Sequence, residues 1–374
     1  MKRRWRYVLS LALALSSSPQ QRRAVSDEEV QRVHRSLLLI DTHNDVTSET
    51  VKGLDLALPR AAGHTDIGRL KKGGVGAVFF AAYVAGSYAK EGRSAHRAIE
   101  MIDTIRRDIV ERHPQDFLFA TSAADIERAR RAGKIAALIG LEGGHAIENS
   151  VRLLRQFHVL GVRYMTLTHS NTNDWAGSSG DAAGLTTGLS GFGREVVAEM
   201  NRLGMLVDIS HVSDKTFYDV IEASKAPPFA SHSSCRALAN IRRNMSDDMI
   251  RALAKKGGVI QINFGCEFVS QRSADSSSWT GKGIPKGAKT PPATLDEVLA
   301  QIAHAVKVGG IDAVGIGSDY DGVKCVPEGL EDVSKFPNLT RALLERGYTA
   351  EQIRKIYGGN LLRVMAAVEN AAAP

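Results

Sequence analysis

Cysteine is scarce in this chain: Cys235, Cys266 and Cys325 are the only three in 374 residues, and no two form a C-x-x-C pair. At most one disulfide can form among them, which excludes a disulfide-built scaffold; we read them as small buried residues rather than thiolate zinc ligands. No apolar run reaches the roughly 20 residues that a helix needs to cross a bilayer. No Cys follows the N-terminal apolar run, so a lipoprotein anchor is not supported, and the C-terminal AAVENAAAP lacks the hydrophobic tail of a lipid-anchor signal. Acidic residues are absent from positions 1–24, which carry Lys2, Arg3, Arg4, Arg6, Arg22 and Arg23. These six account for nearly all of the formal charge of +7, leaving a body at +1. A nearly neutral body has no electrostatic footprint for nucleic acid.

What is present is a globular composition, 43% hydrophobic and 24% charged, long enough to bury a large core. The basic KRRWR, the nine-residue apolar stretch Tyr7 to Leu15 and the following SSS read as an export signal, with an amphipathic helix as the alternative. The expectation is a signal peptide over residues 1–24 and an exported, periplasmic or secreted body over 25–374. No linker divides that body, so one domain is preferred to two.

Eight apolar runs follow one another: 37–40, 75–84, 135–141, 162–168, 205–210, 228–231, 258–265 and 313–318. Near-continuous Val, Ile, Leu and Phe over such lengths fits strands buried on both faces. Segments of helical spacing separate most of them, among them SAHRAIEMIDTIRRDIVERH, GREVVAEMNRLG, SDDMIRALAKKGG and LDEVLAQIAHAVKVGG. Eight such units predict an α/β fold, a (β/α)8 TIM barrel; PFAS is the weakest of the strands. A Ser-, Gly-, Lys- and Pro-rich loop at about 266–294 breaks the rhythm after the seventh strand, on the side where a barrel carries its active site.

Six of the eight strands finish in His, Asp or Glu. Strand one is followed by His43 and Asp45, strand three by Glu142, strand four by His169, strand five by His211, strand six by His232 and strand eight by Asp319. In a barrel those ends converge on one mouth, and such a collection of imidazoles and carboxylates suits zinc or a similar divalent ion. A second H-x-D, His64 and Asp66, follows no strand and reads as a loop pair. His145 is close enough to Glu142 to support it. His34, His96, His113, His158 and His304 lie in helical or loop contexts and read as surface or packing residues.

The ordered motifs DTHND, GLEGGHAI, LTHSNTNDWA, DISHVS, FASHSS, RRNMSDDM and GSDYDGV resemble those of the membrane (renal-type) dipeptidases and their bacterial relatives. The resemblance covers about residues 30 to 370, and GGNLLRVM is similar to the family's final helix. It implies a metallo-dependent hydrolase of amidohydrolase type with two Zn2+ per subunit, cleaving free dipeptides, with a homodimer as the assembly. By the same resemblance His43 and Asp45 would bind one zinc, His211 and His232 the other, and Glu142 would bridge both. His169 would contact substrate near the scissile carbonyl, Arg243 rather than Arg242 would bind its terminal carboxylate, and Asp319 would be the catalytic aspartate. Two metals holding one water between them would supply hydroxide at neutral pH. Dipeptides with a C-terminal D-residue fall within this reading. The alternatives are an amidohydrolase of N-acyl amino acids or β-lactams, and a non-catalytic metal-barrel binding module.

Overall fold

The computed structural model describes residues 23–277, 279 and 290–372. The expected signal segment therefore lies almost wholly outside the described residues, as does the middle of the 266–294 loop. No helix among the described residues is long and apolar enough to cross a membrane.

Nine strands are present among the described residues: β1 Leu39–Asn44, β2 Val75–Tyr83, β3 Phe117–Phe119, β4 Ile135–Glu142, β5 Val162–Thr166, β6 Leu206–Asp208, β7 Phe229–Ser233, β8 Val259–Ile262 and β9 Val314–Ile316. All pair in parallel in the order β1-β2-β4-β5-β6-β7-β8-β9. The ring closes through a parallel bridge between Asn44 and Tyr320, giving the (β/α)8 barrel expected from the eight apolar runs. The short β3 was not among those runs. It pairs with residues 135–137 of β4, below Ile139, where β5 begins its own pairing.

Strand alternation sorts the apolar side chains into two clusters. Ile40, Phe79, Leu138, Tyr164, Leu206, Phe229 and Val259 pack with Leu361, Val364, Met365 and Val368 of the last helix, Asn360–Ala371. Most of these strand residues lie toward the N-terminal ends of their strands, so the last helix closes the end of the barrel opposite the mouth. Their in-between neighbours, such as Val78, Phe80, Ile139, Met165 and Ile260, pack outward with Met101, Ile102, Leu154 and Val196 of the surrounding helices. Each fully buried aromatic or aliphatic side chain contributes about 1.5–3 kcal/mol.

The helices start and stop where local chemistry directs. Ser190 caps Gly191–Leu203, which ends at Gly204 in the left-handed region at φ 70°. Ser246 caps Asp247–Lys255, and Thr294 with Glu297 forms a capping box on Leu295–Gly309. The helical run beginning at Ser94 is α only to Thr104 and continues as a π-helix over Ile105–Glu111.

Candidate metal centre

The strands carry the polar residues to the mouth by simple parity. Leu138, Gly140 and Glu142 alternate on one face of β4, with Leu138 in the barrel interior and Glu142 at the rim. A Cβ on Gly140 would stand 1.9 Å from Cζ of Tyr164, so only glycine leaves room for that ring. Tyr164 in turn reaches His43. On β1 the strand runs four residues past the expected apolar segment, to Asn44, and His43 lies inside it rather than after it. His232 likewise lies within β7. Barrel closure adds the carboxylates, for the Asp319 N–H donates to the His43 carbonyl at 3.0 Å and the Asp45 N–H to the Tyr320 carbonyl at 2.9 Å.

His211 and Asp319 both carry left-handed backbone, at φ 66° and 63°. Such a conformation costs an L-residue about 1–3 kcal/mol and persists where surrounding structure enforces it. The neighbouring Asp321, at φ 67°, is held by Arg60 Nη1 at 3.0 Å and by the His64 N–H at 2.9 Å. His64 and Asp66, the second H-x-D, thus serve the scaffold: Asp66 caps the helix Ile67–Lys72.

Glu142 is the hub. Its Oε1 lies 3.1 Å from His211 Nε2, 3.4 Å from His232 Nε2 and 3.9 Å from His169 Nε2, and its Oε2 is 3.6 Å from His43 Nε2. His43 Nε2 is also 3.1 Å from Asp45 Oδ2. The nitrogen, carboxylate and imidazole atoms fall into three overlapping groups of metal-ligand size: His43, Glu142 and His232; Glu142, His169 and His211; and His43, Asp45 and Asp319.

The backs of two imidazoles are held by hydroxyls. His43 Nδ1 lies 2.8 Å from the Tyr164 hydroxyl, which donates to the Thr42 carbonyl. His232 Nδ1 lies 2.7 Å from Ser231 Oγ, which donates to Asp208 Oδ2 at 2.6 Å. Because each hydroxyl donates onward, each Nδ1 keeps its proton and each Nε2 presents a lone pair toward Glu142. His211 Nε2 and His232 Nε2 then stand 3.0 Å apart. With the His232 lone pair, the His211 ring nitrogen and the Glu142 carboxylate converging there, a cation among them would be held by all three.

Burial sets the protonation pressures. It pushes the carboxyls of Asp45 and Asp319 up, against the pull of His43, and pushes His211 and His232 well down. Burial would raise Glu142 too, but the surrounding imidazoles hold it well below the usual carboxylate range. A buried cluster of oxygen and imidazole donors with this arrangement fits a divalent cation of the zinc type.

A cavity of about 440 Å³ opens on the cluster. Asp45, Glu142, His169, His211, His232 and Asp319 line it together with Tyr83, Glu267, Phe268, Trp279 and Lys324. The His169 ring packs at a tilt against those of Tyr83 and His211, with centroids 4.7 and 4.3 Å away. Asp319 Oδ2 accepts from Asn263 Nδ2 at 2.7 Å. Arg243 is not one of the cavity-lining residues. It is buried, with Nη1 donating to Ser233 Oγ and Nη2 to the His232 carbonyl, both at 2.7 Å, while Nε has no partner among the described residues. Its guanidinium lies 5.5 Å from the Phe268 ring. Cys266 and Cys325 form a disulfide joining the segments after β8 and β9, and only Cys235 remains a free buried thiol.

Sequence reasoning passed over Tyr83, Tyr164, Asp208, Ser231 and Glu267. The first four sit within or at the ends of strands, where a polar residue on an inward parity position was the available signal. Glu267 had none, since it lies in the loop without a period.

The family model for membrane dipeptidases (peptidase family M19) matches residues 27–374. The crystal structure described as the probable dipeptidase PvdM from Pseudomonas aeruginosa is 25% identical, with a TM-score of 0.80 over 92% of this chain and 98% of that one. A metallo peptidase from Rhodobacter sphaeroides, liganded with a phosphinate mimic of the dipeptide L-Ala-D-Ala, is 25% identical with a TM-score of 0.78 over 89% and 99%. An amidohydrolase from Pseudomonas aeruginosa is 26% identical with a TM-score of 0.75 over 91% and 99%.

Proposed function

The chain belongs to the membrane dipeptidase family and is a metallodipeptidase, and from that premise we propose that its barrel mouth binds two zinc ions and hydrolyses the peptide bond of free dipeptides. The observation that carries the two-metal reading is Glu142, one carboxylate whose two oxygens face different imidazole groups. His43 and Asp45 would hold one ion and His211 and His232 the other, with Glu142 shared. Bound there, zinc supplies Lewis acidity and lowers the pKa of water enough to give a nucleophile at neutral pH.

The protein's own groups do the rest. Burial lowers the pKa of His169, so the imidazole is neutral and keeps an N–H to donate to the oxygen that gains charge as water adds to the carbonyl. Asp319, fixed by Asn263, takes the proton from the attacking water and delivers it to the departing amine. Arg243, buried behind the cavity wall with an Nε–H that has no partner among the described residues, is the cation that would direct the substrate's terminal carboxylate. An anchor for that carboxylate so near the reacting carbonyl leaves room for one residue between them, which is the reason for a dipeptide substrate.

The Rhodobacter relative's dipeptide mimic ends in a D-residue, which supports including C-terminal D-residues among the substrates. The Cys266–Cys325 disulfide is of a kind that persists in oxidising compartments and supports export. Family membership makes a homodimer the expected assembly. The test is hydrolysis of L-Ala-L-Ala and L-Ala-D-Ala by purified chain, with and without chelator, beside N-acetyl-alanine. Chelator-sensitive cleavage of the dipeptides is expected, whereas cleavage of N-acetyl-alanine alone would move the enzyme to the N-acyl amino acid class.

A further inference from the structure

The catalytic account leaves one charged group in the cavity wall unused. Glu267 lies on the four-residue helix Cys266–Val269 after β8, partly buried and facing the cavity. Every other cavity-lining carboxylate has company. Asp45, Glu142 and Asp319 belong to the donor cluster, and Asp321 is paired with Arg60. The Glu267 carboxylate forms no ion pair and no hydrogen bond to another residue among the described residues. Burial pushes its pKa up, against a hydrogen bond from its own backbone N–H.

Its position gives it a place along the substrate. Phe268, the next residue on the same short helix, also lines the cavity, and its ring lies 5.5 Å from the Arg243 guanidinium. A substrate whose terminal carboxylate is directed by Arg243 therefore lays its C-terminal side chain along this helix. Lys324 lines the cavity too, but it is exposed and its charge is screened by solvent. The disulfide between Cys266 and Cys325 ties the Glu267 helix to the neighbouring segment after β9, so this carboxylate is presented on a fixed element.

We propose that Glu267 selects dipeptides with a basic side chain, Lys or Arg, at the C-terminal position. The inference rests on the reading of Arg243 as the director of the terminal carboxylate. An exposed pair would give only a few-fold preference and a fully buried one far more; for a partly buried carboxylate the expected preference is about tenfold. The preference should appear in KM rather than kcat, because the side-chain contact is the same in ground and transition states.

The experiment compares Ala-Lys, Ala-Met, Ala-Glu and Lys-Ala with wild type and Glu267→Gln, using zinc-loaded enzyme. Wild type should favour Ala-Lys over Ala-Met about tenfold in kcat/KM, and Glu267→Gln should abolish that difference while leaving Ala-Met unchanged. No basic preference in wild type, or an equal loss on all four substrates in the variant, overturns the proposal. The second result would mean that Glu267 reads the α-ammonium or supports the wall. A Lys-Ala preference abolished by Glu267→Gln overturns its placement at the C-terminal position. If wild type cleaves none of the four, the dipeptide reading itself fails, and this inference with it.

Discussion

Gly322 is the position at which a single added carbon reports on the whole catalytic arrangement. It lines the cavity, and a Cβ built there stands 2.3 Å from Asp319 Oδ1 and 2.3 Å from Asp45 Oδ2. Those distances are more than about 1 Å inside ordinary van der Waals contact. The two carboxylates are short side chains in a buried cluster, and Asp319 is additionally fixed by Asn263. Gly322→Ala therefore displaces at least one of them by roughly 1 Å, and misplacement of a reacting group on that scale costs about 100-fold in rate, near 2.7 kcal/mol. Gly322 has no left-handed φ, so the substitution carries no intrinsic backbone strain and the fold should survive. The assay is kcat on L-Ala-L-Ala alongside thermal unfolding. A kcat within about threefold of wild type would refute the assignment of Asp45 and Asp319 to the reacting centre.

Ser231→Ala removes the hydroxyl that holds His232 Nδ1 and passes its hydrogen bond to Asp208; zinc affinity measured by chelator competition should fall about 10- to 100-fold, and an unchanged affinity would contradict the orienting role. Away from the site, Arg202 and Arg155 hold the Glu199 carboxyl down to about 2. A folded-state pKa below the unfolded value stabilises the protein above the unfolded pKa and loses that contribution as pH falls through the folded one. Glu199→Gln should accordingly lower the urea midpoint at pH 7, with the gap to wild type narrowing from about pH 5 downward; a gap that is constant with pH would rule out the ion pair as its cause.

The barrel was legible because parallel strands buried on both faces announce themselves as apolar runs, even when as short as that before His232. Strand limits were less so: β1 continues through His43, since hydrogen bonding to neighbouring strands, not hydrophobicity, ends a strand. β3 escaped because FLF is three residues long and exists only through its pairing with β4. Ring residues such as Glu142 and His211 stood out by recurring after successive strands. Tyr164, Asp208 and Ser231 did not, for their role depends on which imidazole each faces across the barrel, and no local pattern encodes that. The pairing of Cys266 with Cys325, 59 residues apart, is likewise a product of the folded rim. The Arg243 position is the instructive difference: the motif supplied the residue, while the structure places its guanidinium against Ser233, the His232 carbonyl and Phe268 rather than in the cavity wall.

The central claim is a shared carboxylate between two metal ions, and counting the metal tests it most directly. Zinc per chain, measured by elemental analysis after loading and desalting, should be two for the wild type and fewer for Glu142→Ala, with hydrolysis lost in step. One zinc or none in the wild type, or two retained without Glu142, would contradict the account.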